Sequence, residues 1–291
     1  MRYKATHTTR YRYDAPVSQC QSEVRLTPRA LPWQALVESR IDTTPEPASV
    51  GSHRDYFGNE VTTFTILESH DGFSTVATSL VDVEARPQPA VPDLAWEAAR
   101  EQIAGHGRSD TLDALEFVFD SPFVAAGPEL AAYASASFPA GRPLMEAVND
   151  LSHRIYTDFR YTPRATSIDT PVLDALRSKR GVCQDYAHVM IGALRSLGLS
   201  ARYVSGYLRS RADYKGAEAS HAWVSVFSPG TGWLDIDPTN DVRPTTGHLT
   251  VAWGRDYGDV APVKGVALGG GNQVVEVEVH VVPVTQDSLG R

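Results

Sequence analysis

Three residues, Cys183, His221 and Asp237, have the side-chain types and chain order that acyl transfer by a thiol requires. Cys183 follows Gly181-Val182 and opens a segment whose apolar residues Ala187, Met190, Ile191, Leu194 and Leu197 fall, at about 100° per residue, on the cysteine's own side of a helix. A thiol in the first turn of that helix sits at the positive end of the helix dipole, beside backbone N–H groups that have no intrahelical acceptor. Both features favour thiolate and can hold a developing oxyanion. Ser220 to Phe227 alternates as a strand, with His221, Trp223, Ser225 and Phe227 on one face. The turn Ser228-Pro229-Gly230-Thr231-Gly232 returns the chain so that Trp233 to Asp237 pairs antiparallel with it and brings Asp237 beside His221. Imidazole beside a thiol takes its proton, and a carboxylate on the other ring nitrogen fixes tautomer and orientation.

Each residue also has an ordinary reading. A lone cysteine on an apolar helix face is usually packing, His221 is also readable as a strand-end histidine, and Asp237 as a turn residue before Pro238. Asp235 is the rival orienter, two residues earlier on the same side of the strand. His188 lies about 140° from Cys183 around the same helix, so it reads as a supporting or structural residue rather than the base. Gln184 and Asp185 leave the apolar stripe and either orient neighbouring loops or are solvated. A metal held by Cys183, His221 and Asp237 would have no close ligand pair such as CxxC or HxxxH, so the expectation is no metal and no cofactor.

The elements that must position these residues form an α+β pattern. Residues 1–88 read as short β segments with β-branched and aromatic residues, cut by turn signals at Ala15-Pro16, Pro28, Pro45, Pro47, Gly58-Asn59 and Asp71-Gly72. Pro87, Pro89 and Pro92 read as a stiff linker, which places a domain boundary there. Residues 89–291 then begin with helix-favouring stretches at Leu94 to Ile103, Leu112 to Phe119 and Leu144 to Phe159. Beyond them come helices at Val172 to Leu176 and Cys183 to Leu197, strands at Ala201 to Leu208, His221 to Phe227 and Trp233 to Asp237, and a Val-rich strand at Val274 to Val284.

Composition narrows the class of partner. With 42% hydrophobic and 21% charged residues, 291 residues are enough for one large or two ordinary globular domains. A net charge of −8 argues against a nucleic-acid binder or an anionic-membrane binder that works by neutralising phosphates. The first residues, MRYKATHTTRYRYDAPV, contain no apolar stretch of signal-peptide length, so a cytoplasmic location is expected. Two cysteines, Cys20 and Cys183, exclude a disulfide framework, and Cys20 reads as an ordinary thiol.

Three blocks resemble the bacterial transglutaminase-like proteins, relatives of the papain-like cysteine enzymes in chemistry. RGVCQDYAHVMIGALRSLGLSARYVSGYL (Arg180 to Leu208) is similar to the family's nucleophile helix and following strand, SHAWVSVF (Ser220 to Phe227) to its histidine strand, and GWLDIDPTN (Gly232 to Asn240) to its aspartate strand. THTTRYRYDAPV, RLTPR and DYFGNEV (residues 6–17, 25–29 and 55–61) resemble the β-rich domain that precedes the core in many of these proteins. The resemblance implies an N-terminal β-sandwich-like domain, then a core at about residues 140–260 with the nucleophile helix packed on an antiparallel sheet. It implies Cys183 as nucleophile, His221 as base and Asp237 as third member. The oxyanion donors would be the Cys183 N–H and a second group, for which Tyr161 is a candidate. The implied activity is hydrolysis of peptide or amide substrates, as in a cysteine protease. The alternatives are a transamidase acting on glutamine side chains, and a peptide-binding module without chemistry. Substrate positioning, self-association through edge strands, or plain packing are the roles expected of the N-terminal domain.

Overall fold

The computed structural model describes residues 1–86, 94–105, 109–210, 214–217 and 219–284; the linker expected at Pro87, Pro89 and Pro92 lies outside the described residues. The N-terminal part is antiparallel sheet: β1 (Arg2–Val24), β2 (Gln34–Thr44), β3 (Ser49–Arg54), β4 (Glu60–Ile66) and β5 (His70–Val83). β1 runs through Pro16 because that residue falls where the register shifts between Arg12 and Val17, so its missing N–H interrupts no ladder.

Helices follow: α1 (Trp96–Ala104), α2 (Ser109–Leu115), α3 (Pro128–Ser135) and α4 (Leu144–Asp158). Two-residue strands β6 (Arg160–Tyr161) and β7 (Arg180–Gly181) pair in parallel around α5 (Val172–Ser178). Then come α6 (Cys183–Ser196), β8 (Ala201–Leu208), β9 (His221–Ser228), β10 (Gly232–Ile236), β11 (His248–Gly254) and the short α7 (Tyr257–Val260). The second sheet is antiparallel in the order β10-β9-β8-β11. The last described strands are β12 (Val263–Gly269) and β13 (Gln273–Pro283), which pair not with that sheet but with β1.

β1 therefore belongs to two layers. Its first half lies between β5 and β13, and its second half between β4 and β12. The layers close on a cluster of Val17, Cys20, Val24, Leu26, Phe64, Ile66, Phe73 and Ala77, where the Phe64 and Phe73 rings meet edge to face at 5.7 Å. Tyr3, Ala5, Val81, Val83, Val279 and Val281 belong instead to the main core, which continues through α4, α6, β8 and β9.

α6 is the centre of that core. Every residue from Asp185 to Arg195 is buried, so it is enclosed on all sides and not only along the apolar stripe. At its far end the Arg195 guanidinium donates to the carbonyls of Phe117, Ala201 and Arg255 and to Ser121 Oγ, which anchors the helix axis. β8 and β9 are buried along their whole length.

β11 is the edge strand of the second sheet, and an edge leaves backbone N–H and C=O groups to satisfy. Two side-chain amides of the N-terminal part do this, Gln34 at the head of β2 and Asn59 in the loop before β4. Gln34 Oε1 accepts the Thr250 N–H at 2.8 Å while its Nε2 donates to the Thr250 carbonyl at 2.7 Å. Asn59 Oδ1 accepts the Trp253 N–H at 3.0 Å while its Nδ2 donates to the Trp253 carbonyl at 2.8 Å. Both amides are fully buried. Arg29 stacks on the Trp253 ring at 3.5 Å, and Arg202 is layered between Trp253 at 3.9 Å and Trp233 at 4.2 Å. The RLTPR and DYFGNEV segments thus meet the core at one strand.

Removing the Asn59 amide strands the part-buried N–H and C=O of Trp253, at about 1–3 kcal/mol each. Asn59→Ala is expected to lower the unfolding free energy by about 2–4 kcal/mol in urea titrations, against less than about 0.5 kcal/mol for exposed Val50→Ala. Equal effects for the two variants would show that the amide clamp contributes nothing.

Candidate active site

α6 begins where the sequence places Cys183, and local chemistry accounts for that start. Gly181 pairs with Tyr161 across β6 and β7, and Val182 is extended. The Asp185 carboxylate folds back to accept the Val182 N–H at 2.7 Å and the Thr166 hydroxyl at 2.7 Å. A Cβ on residue 181 would lie 2.3 Å from that carboxylate, so glycine is required there. Of the two readings open for Asp185, the structure shows the loop-orienting one. Burial raises its pKa, against the hydrogen bonds from Val182 and Thr166. Cys183 is left at the first helical position, partly exposed, with its Sγ 4.0 Å from the Ser220 carbonyl oxygen.

Ser220 leads into β9, and His221 opens that strand fully buried. Its Nε2 donates to Asp237 Oδ2 at 2.8 Å; a carboxylate can only accept, so the proton is on Nε2. Among the described residues its Nδ1 takes no ordinary hydrogen bond, and it faces Gly216, where a Cβ would stand 2.9 Å away. Gly216 has φ +83°, so both its conformation and the close approach call for glycine. Burial disfavours the imidazolium, but the charge and hydrogen bond of Asp237, with a smaller contribution from the neighbouring Cys183 side chain, outweigh it and push His221 up to about 10.

Asp237 follows β10 and is fully buried. Its Oδ1 accepts the backbone N–H groups of Thr239 at 2.9 Å and Asn240 at 3.2 Å. Its Oδ2 accepts from His221, from Asn240 Nδ2 at 2.9 Å and from His248 Nε2 at 3.2 Å. Burial opposes its charge, yet the two histidines hold it well below the ordinary carboxylate range. Asp235 is engaged elsewhere, by Trp223 Nε1 at 2.8 Å and by the Arg86 guanidinium. Asp237, not Asp235, is the partner of His221.

The remaining residues singled out in the sequence sort clearly. His188 is buried away from the thiol, accepts the Tyr257 N–H at 3.2 Å and stacks on Phe123, and burial pushes its pKa down to about 4. Gln184 donates to the Ile168 carbonyl at 3.0 Å and holds the preceding loop. The Tyr161 hydroxyl lies 3.4 Å from the position a Gly216 Cβ would take, beside the His221 ring. Two residues of the cluster escaped the sequence reading, Asn240 and His248. His248 opens HLTVAWG as His221 opens HAWVSVF, a histidine leading an apolar strand, and that shared pattern was the available signal.

Chemically, the arrangement can present a thiol to a carbonyl at a helix N-terminus, move a proton on His221 Nδ1 and hold His221 by Asp237. Among the described residues no helix is long and apolar enough to cross a membrane.

Comparison with known proteins finds relatives along nearly the whole chain. Residues 3–82 match the bacterial transglutaminase-like N-terminal region, and residues 132–238 match the transglutaminase-like superfamily. An uncharacterized protein of Mycobacterium tuberculosis is 38% identical, the match covering 99% of this chain and 95% of the relative. A protein-glutamine gamma-glutamyltransferase of Pseudomonas aeruginosa is 36% identical over 94 residues, which is 30% of this chain and 14% of that enzyme. A solved structure from Cytophaga hutchinsonii, described as a candidate cysteine protease, superposes with a TM-score of 0.75 at 21% identity, covering 98% of this chain and 92% of that one, and shares the fold.

The His221–Asp237 pair ties stability to pH. The folded pKa of His221 lies above its unfolded value of about 6.5, so its contribution is complete below pH ~6.5 and is lost as pH rises toward about 10. Asp237 is depressed and contributes above pH ~4, so it stays charged across that window. The stability difference between the native chain and His221→Gln, read from urea midpoints at pH 6, 8 and 10, is expected to shrink steadily. A constant difference would mean that His221 is not held as imidazolium.

Proposed function

The chain belongs to the transglutaminase-like superfamily, and from that premise we propose that it is a cysteine acyl-transfer enzyme whose working set is Cys183, His221 and Asp237, acting on peptide or amide substrates and passing the acyl group to water. The observation that carries this reading is the cluster itself: a helix-leading thiol beside one side of a buried imidazole, with a fully hydrogen-bonded carboxylate on the other. In the first half-reaction the Cys183 thiolate attacks the carbonyl carbon and the oxygen takes the π electrons. Collapse then breaks the C–N bond while His221 Nδ1–H protonates the leaving amine, and a thioester remains. In the second, a water gives its proton to Nδ1, its oxygen adds to the thioester carbon, and the thiolate leaves. Asp237 keeps the Nε2–H and the ring orientation throughout. The Cys183 N–H, free of an intrahelical acceptor, and the Tyr161 hydroxyl are the groups we assign to the oxyanion.

Water is the acceptor that asks least of the site, since Cys183 is partly exposed and transfer to an amine needs a place that holds the amine and excludes water. The second reading, transfer to an amine with formation of an isopeptide bond, is favoured by the local match to a protein-glutamine gamma-glutamyltransferase.

Incubation with a glutaminyl peptide library and excess primary amine, resolved by mass, separates the two. Hydrolysed product is expected to dominate and to fall by at least about 10³-fold in Cys183→Ala. A dominant amine adduct would replace hydrolysis by transamidation. Product formation unaffected in Cys183→Ala would remove the thiol mechanism altogether.

A further inference from the structure

Asp237 Oδ2 is shared by two histidines, and only one of them is needed by the acyl-transfer reading. His248 is buried, with its Nε2 3.2 Å from that oxygen. Its ring is boxed edge-on by Trp223 at 5.4 Å and Tyr214 at 5.9 Å, and lies 6.4 Å from the His221 ring. Among the described residues its Nδ1 has no hydrogen-bond partner, and the box directs Nε2 at the carboxylate. A carboxylate with a free rotor would swing off His221; one held by His248, by the Asn240 amide and by two backbone N–H groups cannot.

His248 also has a distinctive address. It opens β11, two residues before Thr250, whose peptide groups are clamped by Gln34, and five before Trp253, clamped by Asn59. The strand that carries the second histidine is thus fixed at its outer edge by side chains of the N-terminal sheet.

We propose that His248 is a positioning residue for Asp237 and His221, and that the N-terminal sheet sets its position by clamping β11 through Gln34 and Asn59. This rests on the acyl-transfer reading and deepens it by giving the N-terminal sheet a part in the chemistry. The titratable and charged groups that face His248 are Asp237, His221 and Tyr214, with Arg86 at longer range. Burial first, then the charges of His221 and Arg86, outweigh Asp237 and keep its pKa below the ordinary histidine value. It therefore donates to Asp237 as a neutral ring, adding a hydrogen bond without a competing cation.

The test is the pH profile of iodoacetamide alkylation at Cys183 in the full chain, followed by peptide mass spectrometry with glutathione as reference thiol and circular dichroism as the check on folding. The variants are His221→Ala, His248→Phe, His248→Gln and Asn59→Ala. His248→Phe keeps a ring and removes the donor; its alkylation rate at pH 6 is expected to fall about tenfold, the worth of one hydrogen bond to a charged group. His248→Gln, which keeps an N–H donor, is expected to stay within about twofold of the native rate, and Asn59→Ala to move in the direction of His248→Phe. A native profile in His248→Phe, or equal losses in Phe and Gln, would overturn the positioning role, and a native profile in Asn59→Ala would overturn the part given to the N-terminal sheet. Should His248→Phe not fold, a tenfold loss in the folded Gln variant overturns the proposal and a retained rate in Gln with a loss in Asn59→Ala upholds it. His221→Ala distinguishes the levels: if it too alkylates like the native chain, the acyl-transfer reading fails and not merely this extension.

Discussion

A carboxylate buried without partners would cost several kcal/mol and would take up a proton instead. Asp237 is wholly buried and charged, and much of the surrounding architecture is the means of keeping it so. The chain beyond β10 turns at once, so that the N–H groups of Thr239 and Asn240 point back at one oxygen, while β9 and β11 deliver a histidine each to the other. The hairpin of β9 and β10, the placement of β11 at the far edge of the sheet and the Asn240 side chain all converge on a single group. His221 acquires its raised pKa from that convergence, with the Cys183 thiol adding to it.

The thiol reaches the pair from the other side because α6 is fixed at both ends. Asp185 and Gly181 define where it starts, and the buried Arg195 guanidinium ties its last turn to three backbone carbonyls. Between these ends the helix is surrounded by core on all sides, so Cys183 has little freedom to move along or around the axis. The N-terminal sheet contributes from a third direction. It ends the unpaired edge of β11 with two amides that imitate a neighbouring strand, and β1 is itself flanked by β12 and β13 from the far end of the chain. The first and last described strands lie together, and their Tyr3, Ala5, Val279 and Val281 share one core with α6, β8 and β9.

Much of the cluster was legible because its signals are local. A cysteine at the head of an apolar helix, a histidine at the head of an alternating strand and a short hairpin return are patterns of period and spacing, and the helix that opens on Cys183, the strand that opens on His221 and the strand that leads into Asp237 lie within a residue or two of where those patterns put them. What was not legible depends on contacts far apart in sequence. Gln34 meets Thr250, Asn59 meets Trp253, and His248 meets Asp237 across a sheet whose strand order is not the chain order. The Val-rich strand near the C-terminus was visible as a strand, but nothing local to it tells that its partner is β1. Likewise Pro16 reads as a strand break, and only the register shift beside it explains why β1 continues.

The central claim is that His221 is held as an imidazolium between the Cys183 thiol and the Asp237 carboxylate. Ring ¹⁵N chemical shifts of histidine-labelled protein across pH 5 to 11 test this directly, with His221→Gln to assign the resonance. The account predicts that both His221 ring nitrogens stay protonated at pH 7 and that the ring loses its proton only near pH 10, while His248 reports a neutral ring protonated on Nε2. A His221 ring that is neutral at pH 7 would contradict the ion-paired site on which the rest is built.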